Sequence, residues 1–424
     1  MKNNKVFDYV IIGTGILSSV AYKTLLDKNY DIKVVNIDKL PDLQNENNNK
    51  FNFKEGTMFY GKGGTSNIWS STYDFYPKNY LPLFLDKILS NENIRSVQKI
   101  LSYFQVPLHE IQNINANKKD YFMSDVDGVE VNFAIRNKEL FNFYEVFNKK
   151  DICDIDLKNL EIDHYEQKIV DKLSNEKIYY KTLILTAGGV GNPFLINKYF
   201  KNNKNNGNNY MNHLKFSPLV FETSRRLSIR KVIGTNELSD YEIIPTYFIK
   251  NEDEELLHSY RIYTSLRTDV EKNSNYLSLI IDKLFRKLGF SKYFKILIYT
   301  DMKPGKNYLK FTNNEIVLNS TQDTTIENIS DFISAIHCDL RKHPDVKKVV
   351  NKVNYEINEG SHHIGTTIMG EHANNSVVDS NSNLYGYNNI KVFGTSVLPK
   401  AGSGHPTLAA MILTILELEK NLND

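Results

Sequence analysis

The sequence predicts an α/β fold in two domains. One is built on a parallel sheet from separated parts of the chain, and the other is an α+β unit on a mostly antiparallel sheet. Three observations support this prediction. A β-rich run at Asp8–Ile12 is followed by a glycine turn, a stretch with helical spacing and a second strand at Ile32–Ile37. Similar strand-and-turn junctions recur far along the chain, and between them residues 219–352 change to short alternating runs typical of antiparallel strands. At 424 residues, the chain is also too long for one simple core.

Composition is that of an ordinary globular protein. Apolar residues make up 41% and charged residues 24%, and a net charge of +2 gives no case for a nucleic-acid partner. Two cysteines, Cys153 and Cys338, are too few for a disulfide framework or a metal cluster, and they indicate a reducing compartment. The first apolar run, residues 9–12, is too short for a signal-peptide core or a membrane span. We therefore expect a cytoplasmic protein.

The N-terminal turn has the context of a dinucleotide-binding fingerprint. Gly13 permits the tight turn, and Gly15 lets the backbone approach a pyrophosphate at the start of the following helix. Ser18 replaces the usual third glycine and is still small enough for the helix to pack closely on the strand. Asp38 follows the second strand, where a carboxylate can accept hydrogen bonds from a ribose diol. The sequence predicts a Rossmann-like domain, but the turn alone does not choose between FAD and a nicotinamide cofactor.

A second glycine cluster, some fifty residues after the first, favours a flavin. A nicotinamide enzyme does not need this loop, whereas a flavoenzyme needs one to cover the pyrophosphate and reach the isoalloxazine ring. Glycines allow close approach, and hydroxyl and backbone N–H groups can donate to phosphate or ring oxygens. The predicted FAD contacts in this loop are Gly63, Gly64, Thr65, Ser66 and Asn67.

Two later junctions are expected to reach the same cofactor. Residues 182–185 form a strand that enters a small-residue turn, and a helix is predicted to begin around Pro193. Residues 389–393 form a last strand that enters a turn shortly before an apolar helix. The predicted cofactor contacts at these junctions are Ala187, Gly188, Gly394, Ser396 and Thr407.

Two histidines lie in glycine-rich turns of the C-terminal segment. His362 is in the run 361–370 and His405 is in the run 401–407. A neutral imidazole near pH 7 is well suited to accept a hydroxyl proton while hydride leaves the adjoining carbon, and a second donor can orient the same oxygen. His363 is expected to be a neighbour of the base without a catalytic role.

These motifs resemble those of the glucose–methanol–choline (GMC) oxidoreductases. The resemblance covers the N-terminal fingerprint, the loop Gly63–Ser66, the turn at Ala187 and the segment Gly207–His213. It is most specific over residues 362–418. Much of the chain between these motifs carries little that matches, as expected where substrate domains diverge.

The resemblance implies a cofactor, a reaction and two roles. It implies FAD, usually bound noncovalently, and a hydride passed from an alcohol carbon to the flavin. It also implies that His362 is the catalytic base of an H-x-x-G-T motif and that His405 is the partner that orients the hydroxyl.

The resemblance also sets the expected domain boundaries. We expect the discontinuous FAD-binding domain to comprise residues 1–80, 150–218 and 355–424. The substrate-binding domain is then expected to comprise residues 81–149 and 219–354.

Residues 276–297 combine apolar residues with a basic face. Such a segment could lie in a membrane interface, or it could form a helical pair that caps the domain, and we favour the helical pair. A further helix is predicted at residues 326–341, across the sheet of the substrate domain.

The sequence therefore predicts an FAD-dependent oxidoreductase that acts on the CH–OH group of a sugar, a polyol or a related alcohol. Two alternatives remain open: a flavin-binding protein without redox turnover, and a flavoenzyme for a non-redox sugar rearrangement. No Cys/His/Asp spacing predicts a metal site, and no motif chooses between oxygen and another electron acceptor.

Overall fold

A computed structural model of the chain provides the fold. It describes residues 5–41, 43–45, 61–65, 72–74, 94–106, 121–127, 129–137, 141–200, 203–233, 236–238, 241–249, 258–271, 275–301, 307–312, 315–319, 329–400 and 404–420. The helices are α1 (Ile16–Leu26), α2 (Ile94–Tyr103), α3 (Gly188–Tyr199), α4 (Ile229–Ile233), α5 (Tyr276–Lys287), α6 (Ile329–Lys342) and α7 (Thr407–Lys420).

The strands are numbered from the N-terminus in the same way. They are β1 (Val6–Ile12), β2 (Ile32–Ile37), β3 (Leu43–Asn45), β4 (Thr72–Asp74), β5 (Val129–Asn137), β6 (Ile152–Ile155), β7 (Leu160–Asp163), β8 (Lys168–Asp171), β9 (Glu176–Leu185), β10 (His213–Ser228), β11 (Asn236–Leu238), β12 (Tyr241–Ile249), β13 (His258–Thr264), β14 (Phe290–Asp301), β15 (Tyr308–Phe311), β16 (Ile316–Asn319), β17 (Val346–Asn351), β18 (Asn358–Glu359) and β19 (Ile390–Val392).

The first sheet is parallel at its centre. Its order is β6-β2-β1-β9, with β19 beside β9, and β8 and β7 extend it in antiparallel fashion. In register, Ile12 lies beside Val35 on one side and Leu185 on the other. The run β6-β2-β1-β9-β19 is the strand order of a doubly wound dinucleotide-binding sheet. Its strands come from the beginning, the middle and the end of the chain.

The second sheet is antiparallel, as the alternating runs predicted. Its order is β17-β10-β14-β13-β12-β5-β4, with β11 beside β12 and β18 beside β10. Helix α6 packs on it through Phe332, Ile336 and Leu340, which are buried in the core of this sheet. The helix predicted across the substrate-domain sheet is confirmed from Ile329 onward, and residues 326–328 lie outside the described residues.

The hydrophobic cores divide the chain differently from the expected domain boundaries. Strands β15 and β16 pair with β3, and Leu309 and Ile316 are buried in the core of the parallel sheet. Val97 and Leu101 of α2 are buried in that same core. Parts of both segments assigned to the substrate domain therefore pack with the parallel sheet, because their apolar faces are buried there.

Helix α3 begins at Gly188, five residues before the expected start at Pro193. Pro193 therefore lies inside the helix, where it lacks the N–H that would bond to the carbonyl of Gly189. The hydroxyl of Thr366 donates a hydrogen bond of 2.5 Å to that carbonyl instead. A side chain from the C-terminal segment thus compensates for the proline, which explains why a proline-based helix start was misleading.

Residues 276–297 do not form a helical pair, so that expectation was wrong for the second half. The first half is α5, but residues from Phe290 onward belong to β14. This strand pairs with β10 on one side and β13 on the other, so it is central in the sheet. Alternation at Phe294, Ile296 and Ile298 places apolar side chains in the core. In the described part of the chain, no helix is long and apolar enough to cross a membrane.

The hydrogen bond that compensates for Pro193 predicts a stability difference between two adjacent threonines. Thr366 and Thr367 are both fully buried, but the Thr367 hydroxyl has no partner among the described residues. Thr366→Val leaves the Gly189 carbonyl without its donor and should lower the free energy of unfolding by about 1–2 kcal/mol. Thr367→Val should leave the free energy of unfolding unchanged or raise it. Urea denaturation of both variants checks this, and equal losses would contradict it.

Candidate active site

A cavity opens at the carboxyl ends of the parallel strands, where ligands bind in doubly wound sheets. It holds about 1220 Å³ of space, its open mouth included. Nine predicted site residues line it: Gly13, Gly15, Gly64, Thr65, Ala187, Gly188, His362, Gly394 and Thr407.

The turn between β1 and α1 lies at the base of this cavity. Gly13 has φ +121°, and a Cβ there would lie 2.7 Å from the Thr186 carbonyl oxygen, so a larger residue does not fit. Ser18 does not line the cavity; it is buried, and its hydroxyl hydrogen-bonds to the Thr186 hydroxyl at 2.8 Å. Ser18 thus joins α1 to the end of β9, as its small size suggested.

The second glycine loop lies against the first. The Thr14 hydroxyl donates to the Asn36 side-chain oxygen at 2.7 Å and accepts from the Gly63 N–H at 3.3 Å. A Cβ on Gly15 would come within 3.7 Å of the Gly63 carbonyl oxygen. The two loops are therefore in contact, as a shared pyrophosphate site requires. Ser66 and Asn67 lie outside the described residues.

Asp38 is exposed directly after β2 and does not line the cavity, whereas Asn36, two residues earlier, is buried and does. The Asn36 amide donates to the Asp154 carboxylate at 2.8 Å, which links the first glycine turn to β6. Sequence reasoning missed Asn36. The available signal was a polar amide between the apolar residues Val35 and Ile37.

A buried asparagine joins the two later junctions. The Asn192 side chain accepts from the Ala187 N–H at 2.7 Å and donates to the Phe393 carbonyl oxygen at 2.9 Å. It also donates to the Ser396 hydroxyl at 3.0 Å, so Ser396 supports the loop and does not line the cavity. Asn192 thereby fixes the start of α3 against the turn at Gly394. Sequence reasoning missed Asn192 because an asparagine inside a helix belongs to no recognisable motif.

Helix α3 also supports the histidine segment. A Cβ on Gly189 would lie 1.9 Å from the His363 carbonyl oxygen, so only glycine permits this approach of the helix to the segment. The Thr395 hydroxyl donates to the same carbonyl at 2.7 Å. The backbone of the histidine segment is therefore held from both sides.

The structure brings the two predicted catalytic histidines together. The ring centroids of His362 and His405 are 4.8 Å apart, with the planes at 75°. His405 comes two residues before α7, whose first residue lines the cavity. The two side chains come from turns more than forty residues apart, and both lie beside the predicted cofactor cavity.

A third histidine contacts the pair. The Nδ1 atoms of His213 and His362 are 2.8 Å apart, so one donates a hydrogen bond to the other. The side-chain oxygen of Asn212 accepts from the backbone N–H groups of both histidines, at 2.8 Å from His213 and 3.0 Å from His362. Sequence reasoning missed this direct contact because the two residues are 149 positions apart.

The electrostatics of the site keep His362 neutral. Burial, followed by the neighbouring imidazoles of His405 and His213, holds the pKa of His362 well below its ordinary value of 6.5. The side chain is still partly open to the cavity that it lines. A neutral, accessible imidazole can accept a proton at pH 7.

The side chain of His363 contacts different partners from those of His362. Its Nδ1 lies 2.8 Å from the Tyr210 hydroxyl, and burial lowers its pKa to about 4. It lines the cavity, and its Nε2 has no hydrogen-bond partner among the described residues. His363 is therefore not part of the imidazole pair, and a polar atom of a bound cofactor would satisfy it.

The cavity fits the chemistry of FAD. Helices α1 and α3 both begin at it, and neither N-cap residue, Gly15 or Ala187, makes a side-chain capping bond. Their first N–H groups are therefore available to a phosphate, which the positive end of a helix attracts. Among the described lining residues there is no acidic side chain to repel it. Within the described ranges, no group of three or more His, Cys, Asp or Glu could hold a metal ion.

Known proteins share this fold. Pyridoxine 4-oxidase from Mesorbium loti matches with a TM-score of 0.60 and 11% identity, over 99% of each chain. A formate oxidase matches with a TM-score of 0.56 and 13% identity over 100% of each chain. A variant of Aspergillus oryzae RIB40 formate oxidase matches with a TM-score of 0.58 and 13% identity, also over 100% of each chain. No curated protein sequence matches the chain.

A family model supplies the sequence evidence. The model described as GMC oxidoreductase matches residues 315–414, the part of the chain that holds both His362 and His405. This match confirms the resemblance found in the motifs, and the solved structures agree with it in fold. Over residues 315–414 the chain is therefore similar to the GMC oxidoreductases.

Proposed function

We propose that the protein is an FAD-dependent oxidoreductase that removes a hydride from a CH–OH group, with His362 as base and His405 orienting the hydroxyl. FAD is the cofactor that the family indicates, and the cavity residues fit it. The observation that carries the proposal is the contact of the two imidazoles beside the cavity that contains the dinucleotide turn. When bound, FAD supplies the acceptor for the hydride.

The tautomer of His362 decides whether it can act as a base. If His213 donated to His362 Nδ1, His362 in its neutral form would carry its proton on Nε2 and could not accept one there. If His362 Nδ1–H donates to His213 Nδ1, the Nε2 lone pair is free to accept the hydroxyl proton. The proposed reaction requires the second arrangement, which makes His213 a positioning residue.

The proton and the hydride then leave the substrate separately. The hydroxyl proton would pass to His362 Nε2 while the carbon gives up its hydride, which FAD would accept when bound, so the alcohol would become a carbonyl compound. His405 is placed to hold the substrate oxygen, because its ring lies beside that of His362. Because its pKa is lowered, His362 is neutral and available to accept the proton. The protonated ring then binds this proton only weakly, so the proton must later pass to solvent.

A hydroxylated substrate suits the wall beside His405. The Tyr299 ring lies 6.4 Å from the His405 ring, and the guanidinium of the buried Arg261 lies over Tyr299 at 5.1 Å. Arg261 also donates to the Thr246 hydroxyl at 3.0 Å. A phenol beside His405, backed by a buried guanidinium, favours a sugar or polyol over a hydrocarbon alcohol. Anaerobic bleaching of the flavin by a panel of sugars, polyols and aliphatic alcohols tests this class.

Removing the base should separate cofactor binding from chemistry. His362→Ala should keep bound FAD and its absorbance but slow alcohol-dependent flavin bleaching by ~100-fold or more, because general base catalysis contributes about 10²–10⁴-fold. His372→Ala is the matched control, since His372 is an exposed histidine of the same C-terminal segment. Stopped-flow absorbance under anaerobic conditions measures the rates. A yellow native protein that no alcohol bleaches would favour a flavoprotein without redox turnover.

The depressed pKa of His362 predicts the pH profile of flavin reduction. The base form is neutral, so lowering its pKa below 6.5 keeps it competent as pH falls through that value. The rate should therefore stay flat from about pH 8 to about pH 6.5 and fall only at lower pH. A midpoint at or above 6.5 in the native protein would contradict the assignment.

His213 should control both the pKa and the tautomer of the base. His213→Ala removes a neighbouring imidazole and lets water in, and both changes raise the pKa of His362. In the pH profile of flavin reduction, the fall in rate at low pH should move to higher pH. The rate on the plateau should decrease by about tenfold, which corresponds to the ~1.5 kcal/mol of a buried hydrogen bond. If His213 had only a structural role, the variant would have a lower rate or stability, but the fall in rate would stay at the same pH.

A further inference from the structure

Helix α5 presents its apolar side to solvent. Tyr276 is 79% exposed, Leu277 66%, Leu284 56% and Leu288, just after the helix, 63%. Residues 276, 280, 284 and 288 are spaced four positions apart, and residues 277 and 281 have the same spacing in the adjacent row. All six positions therefore lie on one face of the helix. A surface helix of a globular protein ordinarily buries this face against the core.

The opposite side of α5 attaches the helix to the protein by polar contacts. Asp282 is buried, and its carboxylate lies 2.6 Å from the Nε of Arg267 and 2.7 Å from a terminal nitrogen of Arg226. The Arg226 guanidinium lies over the Phe285 ring at 4.2 Å. The helix therefore uses its polar edge for packing and leaves its apolar face outward, the reverse of the usual arrangement.

Basic side chains border this apolar face. Lys283 and Lys287 are exposed on α5, and Lys231 is exposed on α4, which reaches the end of α5 through a hydrogen bond from the Ile229 N–H to the Gly289 carbonyl oxygen. Asp282 is the one acidic residue of the helix, and it is turned inward. The outward surface of α5 is thus apolar and cationic.

We propose that α5 docks the protein on an anionic lipid membrane, with the apolar face in the headgroup boundary and the lysines on lipid phosphates. An exposed apolar face beside basic residues has the chemistry of an interfacial helix. A symmetric dimer through this face would bring the lysines of both copies to one interface, with no outward acidic group on α5 to pair with them. An anionic bilayer supplies those charges along its whole surface.

Vesicle co-sedimentation of the FAD-loaded protein tests the proposal. The native protein should bind phosphatidylcholine vesicles that contain about one third phosphatidylglycerol, and raising salt from about 20 to about 500 mM should weaken binding. Leu277→Ser/Leu284→Ser should lower the partition coefficient at least tenfold. Lys283→Gln/Lys287→Gln should lower it by about fivefold per lysine on anionic vesicles and leave binding to pure phosphatidylcholine unchanged.

The control is a pair of equally exposed apolar residues far from α5. Tyr165 is 87% exposed and Leu173 is 77% exposed, so Tyr165→Ser/Leu173→Ser should bind vesicles like the native protein. Flavin absorbance and thermal melting verify that each variant is folded. Absence of binding to anionic vesicles, or equal loss in the control pair, would overturn the proposal. A native dimer that the leucine variant converts to a monomer, without vesicle binding by the native protein, would overturn it in favour of a second copy.

Discussion

The hydrogen bond between the Nδ1 atoms of His213 and His362 is the contact on which the site depends. His213 begins the long strand β10 of the antiparallel sheet, whereas His362 lies in the C-terminal segment that packs on α3 of the parallel sheet. The bond therefore joins the two sheets at the cavity. Asn212 reinforces it by accepting from the backbone N–H of both histidines. This contact gives His362 Nδ1 a partner and so bears on both the orientation and the tautomer of the ring.

Local patterns were sufficient to predict the elements that begin and end the cofactor cavity. Strand β2 was predicted at its observed bounds, and β1 was predicted within two residues, because both are short apolar runs followed by turn residues. Helix α7 and the pairing of His362 with His405 followed from glycine-rich motifs. These features depend on residues close together in the chain, so sequence carries most of the information.

What the sequence did not reveal depends on partners far away in the chain. The start of α3 was misplaced because Thr366 compensates for Pro193 from 173 positions away. Residues 290–297 contain apolar and basic residues like a helix, but pairing with two neighbouring strands makes them the centre of a sheet. Asn36, Asn192 and Asn212 support the loops of the site through single amide groups, and such contacts leave no periodic pattern.

The tautomer of His362 determines whether this residue can act as the base, and it can be measured. Nitrogen-15 NMR of the FAD-loaded protein with labelled histidine, assigned by comparison with His362→Ala, distinguishes a protonated ring nitrogen from an unprotonated one. The account predicts that at pH 7 His362 is neutral, with its proton on Nδ1 toward His213 and its Nε2 unprotonated. A proton on Nε2, or a doubly protonated ring at that pH, would contradict the role of His362 as the base.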